Sequence, residues 1–168
     1  MTVIETPRLC LREFEPDDAE SLYRLNLDPK VIEFTGDLPF ESVKAAGTFL
    51  ENYRHYRQYG FGRWAVIQKS NGEFLGWCGL KFTPGPDECD IGFRFFRSVW
   101  NRGFATESAT ACIQHGFDSL GLARIVGRAM KENLASVAVL RKTGLKFLKE
   151  FDFDGREGVV YFIEKHCD

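Results

Sequence analysis

Leu9 and Leu11 alternate with Arg8 and Arg12, a period of two that predicts a half-buried strand ending near Phe14. Pro16-Asp17-Asp18 then opens a helix through about Leu27, because acidic residues favour the positive end of a helix dipole, and Asp28-Pro29 stops it. Ala46, Phe49, Leu50 and Tyr53 recur at helical spacing behind a capping Ser42, so a second helix is expected from Ser42 to about Tyr59. The period then returns to two. Trp64 to Lys69 and Phe74 to Phe82 read as strands joined at Ser70-Asn71-Gly72, and a third strand from about Cys89 to Phe95 follows Pro84-Gly85-Pro86, giving an antiparallel meander. Gly103 opens a helix whose Ala105, Ala109, Cys112, Ile113 and Phe117 share one face, with Gly121 as its stop. Arg124 to Met130 is a strand, Asn133 to Lys142 a short helix closed by Gly144, and Lys146 to Phe153 with Glu157 to Lys165 a hairpin around Asp154-Gly155. The expected order is βααβββαβαββ.

Composition narrows the class. At 168 residues, 44% of them hydrophobic and 16 of them Phe, the chain can bury one core, and no repeat, linker or low-complexity stretch divides it, so residues 1–168 read as a single domain. The net charge of −2 argues against a duplex nucleic-acid partner. Met1 to Arg12 carries no apolar targeting segment, and no uncharged run approaches the roughly 20 residues of a membrane span, so a cytoplasmic protein without a membrane partner is expected. Five cysteines, Cys10, Cys78, Cys89, Cys112 and Cys167, are odd in number and never C-x-x-C; free thiols, with no disulfide frame and no metal, are the expectation. His55, His115 and His166 fall in no catalytic pattern, and oligomeric state leaves no mark in the sequence.

Chemistry concentrates in the run from Ile91 to Glu107, which reads strand, short loop, helix start. The free backbone N–H groups of a first helical turn around Arg102 to Thr106 make an anion site, Gly103 lets a phosphate approach the backbone, and Arg97 or Arg102 adds charge, with Arg94 beside them. Neither G-x-x-x-x-G-K-[ST] nor G-x-G-x-x-G is present; Gly60-Phe61-Gly62 precedes a strand rather than opening a helix. A pyrophosphate is the natural guest.

The element order, together with Trp100-Asn101-Arg102-Gly103-Phe104-Ala105-Thr106-Glu107, Asn133-Leu134-Ala135-Ser136 and Lys142-Thr143-Gly144, resembles the GNAT superfamily of N-acetyltransferases over nearly the whole chain. Thr6-Pro7-Arg8-Leu9-Cys10-Leu11-Arg12 resembles its RimJ/RimL-like branch of ribosomal-protein N-terminal acetyltransferases. The resemblance implies an α+β fold of αβα layers, with a mixed central sheet of about seven strands and about four helices. It implies acetyl-CoA as cosubstrate, with Phe95, Phe96 and Arg97 pairing their backbone with the pantetheine arm. Arg102, Gly103, Phe104, Ala105 and Thr106 would hold the pyrophosphate, with Trp100 at the place of the usual Gln or Arg, and Asn133 would bond the pantetheine from the other strand.

Transfer to an amine by direct attack in a ternary complex needs an uncharged amine, a polarised thioester and a proton for the leaving thiolate. The tyrosine that supplies that proton in many members is replaced by Leu140, whereas Ser136, near the positive end of its short helix, can donate. Glu88 and Asp90 are the candidate bases by family position, with Glu33 and Asp37 as alternatives. A lysine-like amine costs about 4.6 kcal/mol to deprotonate at pH 7 and an α-amine only about 1, so the lack of an obvious base favours an α-amine. The acceptor is expected to be a protein or peptide N-terminus or a small amine, in a pocket between residues 33–40 and 151–157 that includes Phe34, Phe40, Phe151 and Phe153. Glu33, Asp37, Asp152, Asp154 and Glu157 there suit a cationic acceptor. The competing reading is a non-catalytic acyl-CoA sensor, which binds but releases no thiol.

Overall fold

A computed structural model describes residues 1–167. Its centre is a mixed sheet of eight strands in the order β1-β2-β3-β4-β5-β6-β8-β7. The strands are β1 (Thr2–Glu5), β2 (Leu9–Arg12), β3 (Arg63–Gln68), β4 (Phe74–Thr83), β5 (Glu88–Phe95), β6 (Arg124–Met130), β7 (Lys146–Phe153) and β8 (Arg156–Glu164). The helices are α1 (Ala19–Leu27), α2 (Pro29–Ile32), α3 (Val43–Glu51), α4 (His55–Tyr59), α5 (Phe104–Asp118) and α6 (Leu134–Lys142). Every neighbouring pair of strands is antiparallel except β5 and β6, which run parallel and pair only at Asp90 with Val126 and Ile91 with Gly127. Beyond Ile91 the two strands separate, and the gap opens toward their C-terminal ends.

Alternation sorts the sheet into two faces. Leu9, Leu11, Trp64, Val66, Cys78, Leu80, Ile91 and Phe95 point to one face and join Phe104, Ala109, Cys112, Ile113 and Phe117 of α5 and Leu140 of α6 in the main core. On the other face Leu22, Leu25 and Val31 from α1 and α2 pack with Leu50, Phe74, Trp77 and Phe96 in a smaller cluster. Helices thus cover both sides, the layering that the resemblance implies, with one strand and two short helices more than expected. The added strand β1 is the β-branched run Thr2-Val3-Ile4, which lies antiparallel on β2. Asp28 ends α1 as expected, and its carboxylate also accepts from the Lys30 amide and caps the short α2 that Pro29 opens. Ser42 caps α3 as expected.

The helix expected from Ser42 to Tyr59 is two helices with a break over residues 52–54. The break puts Tyr53 in an aromatic cluster with Phe14, Phe49 and Tyr56. It also brings both phenols to the backbone of Arg63: the Arg63 amide donates to Tyr53 Oη at 2.8 Å, and Tyr56 Oη donates to the Arg63 carbonyl. Burial pushes both phenols up, so they serve as neutral partners. Periodicity extends through the break because the same aromatic positions pack whether or not the helix continues.

His55 has a definite place. The Phe82 amide donates to its Nε2 at 3.0 Å, which leaves Nδ1 as the protonated nitrogen, 2.5 Å from the Phe61 carbonyl. One neutral imidazole thereby joins α4 to the approach to β3 and to β4. Replacing it leaves a partly buried amide and carbonyl unpaired, which costs about 1–3 kcal/mol. His55→Ala should therefore lower the midpoint of thermal unfolding by several degrees, measurable by calorimetry.

Candidate active site

The gap between β5 and β6 is the start of a cavity of about 770 Å³ that continues between α2, α6 and the loop before α5. Its size is that of a small-molecule site. Alternation of backbone direction along β5 decides what faces the gap. The Phe96 amide donates to the Leu75 carbonyl of β4 at 3.0 Å, so even-numbered residues of this stretch turn their backbone to β4, and Phe93 and Phe95 turn theirs to the open side. Of Phe95, Phe96 and Arg97, Phe95 alone therefore presents backbone to the gap from within β5. Its carbonyl accepts the Trp100 indole N–H at 2.9 Å. Phe96 packs in both hydrophobic clusters and lies outside the cavity lining, and Arg97 turns away to Asp28 at 3.1 Å.

Past Trp100 the chain enters α5 through Asn101 at φ +60° and Gly103 at φ +81°. Left-handed backbone at both positions turns the chain sharply enough that the α5 start faces the cavity, and it suits glycine at Gly103. The first helical bond runs from the Glu107 amide to the Gly103 carbonyl, so the amides of Phe104, Ala105 and Thr106 have no helical acceptor. Gly103, Phe104, Ala105 and Thr106 all line the cavity. The Arg102 side chain does not; it lies 5.2 Å over the Phe104 ring.

This loop is braced from below by the N-terminal arm. Arg8 Nη1 donates to the Arg102 carbonyl at 2.9 Å, Arg8 Nε pairs with Glu107 at 2.7 Å, and its guanidinium lies 4.3 Å over the Phe104 ring. Thr6 Oγ1 donates to the other Glu107 oxygen at 2.7 Å, and the Arg8 amide to the same oxygen at 3.0 Å. Burial tends to raise Glu107, but the bonds from Thr6 and Arg8 outweigh it and hold the carboxyl below its ordinary value. Nothing in local periodicity marks this contact; the signal available in the sequence is the Thr6-Pro7-Arg8 run itself.

On the opposite wall, Asn133 caps α6 by accepting the Ser136 amide at 3.2 Å. Asn133 and Ser136 both line the cavity, and among the described residues Ser136 Oγ bonds no protein group. Leu140 is fully buried in the main core, a position that α6 uses for packing.

The carboxylates are committed. Asp90 lines the cavity but is paired with Arg63 at 2.8 Å, both side chains being largely buried. Arg63 crosses from β3 over β4 to β5, and its guanidinium lies against Gly92, where a Cβ would sit 2.6 Å from Cζ; Gly79 is opposite Gly92 in the register. Glu88 lies outside the cavity and is bound to Arg128. Glu33 reaches the cavity beside Lys30, 3.9 Å away, and Asp37 is held by Arg94 at 2.7 Å. Arg94 thus lies on the face of α1 and α2, away from the α5 start, and not beside the anion loop as the sequence suggested. Phe34 and Phe153 line the cavity; Phe40 and Phe151 do not. Among the described residues no group of three or more His, Cys, Asp or Glu side chains is placed to hold a metal, and no helix is long and apolar enough to cross a membrane.

The sequence pattern of the acetyltransferase (GNAT) domain matches residues 8–146. An uncharacterized N-acetyltransferase, p20, of Bacillus licheniformis is 32% identical over 152 residues, covering 89% of this chain and 84% of its own. Among solved structures, a GNAT-family acetyltransferase from Bacillus anthracis superposes with a TM-score of 0.84 at 24% identity, covering 98% of both chains. RimL, a ribosomal L7/L12 alpha-N-protein acetyltransferase in complex with coenzyme A, gives a TM-score of 0.84 at 18% identity, again covering 98% of both.

The depressed Glu107 carboxyl carries a pH signature. A group lowered in the folded state contributes stability that is present above its unfolded value, near 4.3, and lost as pH falls through the folded one. Glu107→Gln should therefore destabilise the protein at about pH 7, and the gap to the unaltered protein should narrow as the solution is acidified below about pH 4. Urea unfolding at the two pH values measures both quantities.

Proposed function

The chain belongs to the GNAT family of acetyltransferases, and from that membership we propose that it moves an acetyl group from acetyl-CoA directly to an α-amine, with Ser136 as the proton donor. The observation that carries this reading is the meeting, in one cavity, of the unbonded amides that open α5 and the uncommitted Ser136 hydroxyl on the first turn of α6. The residues fit the cosubstrate. The amides of Phe104, Ala105 and Thr106 offer donors to a pyrophosphate at the positive end of a 15-residue helix, and Phe95 and Phe93 offer a strand edge to an extended arm. Acetyl-CoA, when bound, supplies the activated thioester. Ser136, near the N-terminus of α6, lies where a developing thiolate is stabilised and can receive the hydroxyl proton.

Among the described residues the two carboxylates that line the cavity each lie near a cation, Asp90 bonded to Arg63 at 2.8 Å and Glu33 3.9 Å from Lys30. This supports an acceptor that deprotonates without much help. An α-amine of a peptide or protein loses its proton to water for about 1 kcal/mol at pH 7, against about 4.6 for a lysine-like amine.

Ser136→Ala should lower kcat at least about tenfold while the affinity for acetyl-CoA stays unchanged, as expected for a general acid. Thiol release against N-terminal peptides and titration calorimetry measure the two; unchanged turnover removes Ser136 from the reaction, and acetyl-CoA binding with no thiol released to any amine makes the chain a sensor. Gly103→Val forces a branched residue to φ +81° and should weaken acetyl-CoA binding roughly fivefold or more, without abolishing folding.

A further inference from the structure

Of the five acids expected to favour a cationic acceptor, Glu33 alone lines the cavity. Asp37 lies against Arg94 and outside the cavity lining, Glu157 pairs with Lys131, and Asp152 accepts the Gly155 amide in its hairpin turn. The charged residues that line the cavity are cationic in excess: Lys30, Arg63, Arg94, Arg128 and Lys142 against Glu33 and Asp90.

Arg94 stands out among them. Its side chain is 10% exposed, yet it is incompletely used. Nη1 donates to Asn26 Oδ1 at 2.8 Å and Nη2 to Asp37 Oδ2 at 2.7 Å, while Nε is buried with no partner. A guanidinium has five N–H donors in a planar fork suited to a carboxylate, and two of these bonds do not exhaust it. The fork has an aromatic neighbour: Arg94 lies 5.2 Å over the Trp77 ring, and Arg63 lies 5.5 Å from the same ring. Trp77 and Arg94 are direct cross-strand partners, and Arg63 and Asp90 lie on the same sheet face, so the group is built into the register and does not hang from a loop. Asn26 is buried and fixed on α1. Asp37 is the replaceable partner: its side chain is 56% exposed, on the stretch between α2 and α3.

Building on the proposed transfer to an α-amine, we infer that the acceptor is an acidic peptide N-terminus, whose carboxylate side chain within the leading residues is received by Arg94 on the Trp77 platform in place of Asp37. The same guanidinium that holds Asp37 in the free protein would then hold the acceptor, whereas an uncharged isostere would leave Arg94 on Asp37 and Asn26 and gain no ion pair of its own. The acid is favoured by the charge-assisted bonds that it makes to the fork and that the isostere does not.

The test uses the full chain with matched peptides that differ only by Asp against Asn, or Glu against Gln, at positions one to three, and with free aspartate and glutamate as a separate arm. For at least one position, kcat/KM should favour the acid by about tenfold or more, most of it in KM. Arg94→Gln should bring that ratio close to one, and Arg94→Lys, which keeps the charge but not the fork, should bring it part of the way, with acetyl-CoA affinity unchanged in both. Asp37→Asn should lower KM for the acidic peptide. Equal rates for acid and amide in the unaltered protein, or a preference that survives Arg94→Gln, overturn the inference; turnover of free aspartate or glutamate with none of the peptides assigns the carboxylate to an amino acid and overturns the peptide assignment. Calorimetry of acidic peptide on the coenzyme A complex separates the two proposals. Acid-selective binding lost in Arg94→Gln, without turnover of any amine, leaves this site standing and removes the transferase; turnover without acid preference does the reverse.

Discussion

Two parallel strands that touch at two positions organise everything else in this molecule. A parallel pair inside a sheet normally continues as far as its strands do, because each unpaired amide or carbonyl is costly to leave dry. β5 and β6 pair at Asp90 and Ile91 and then part, so the outward backbone of Phe93 and Phe95 and the start of α6 after β6 face a common space. The chain answers the exposed edge only in part, with the Trp100 indole on the Phe95 carbonyl. The remainder is a strand edge waiting for an extended partner, bounded at one end by unbonded helix amides. An acyl carrier with a polyanionic end and an amide-bearing arm is the chemistry that such an edge accommodates.

Around that gap the protein uses long-range polar contacts to fix what the hydrophobic core does not reach. Arg63 spans three strands over the glycines at positions 79 and 92 to reach Asp90, and Arg8, just before β2, reaches the α5 start. Both are arginines, whose planar fork tolerates partial burial better than an ammonium and can serve a carbonyl and a carboxylate together. The cavity is therefore walled by ion pairs whose partners come from distant elements, and its chemistry depends on register.

Periodicity made most of the scaffold legible. Arg124–Met130 and Lys146–Phe153 agree residue for residue with the strands, and the turns at Asn71-Gly72 and Asp154-Gly155 are where the sequence puts them. Gly103 and Asn133 mark the helix starts that face the cavity. The break over residues 52–54 was hidden because Tyr53 and Tyr56 satisfy helical spacing while their hydroxyls answer to Arg63, ten and seven residues on. Charge was misread for a like reason. Composition counts Asp37 and Glu157 as acids of a loop, but only the folded chain shows that each already has a cation. Arg94 sits one residue from Phe95 in sequence, yet alternation sends its side chain to the opposite face.

The brace from the N-terminal arm also has a bearing on how the protein acquires its site. Arg8 and Glu107 are 99 residues apart, and the loop between them must be closed before either gains from the contact. Such closure is slow relative to local hairpins and helices. During synthesis Arg8 emerges before α5 and stays unpaired against it until Glu107, 99 residues on, has been added. The anion loop, though short and local in sequence, is thus tied to a long-range closure, whereas the meander of β3, β4 and β5 beside it rests on neighbouring strands alone.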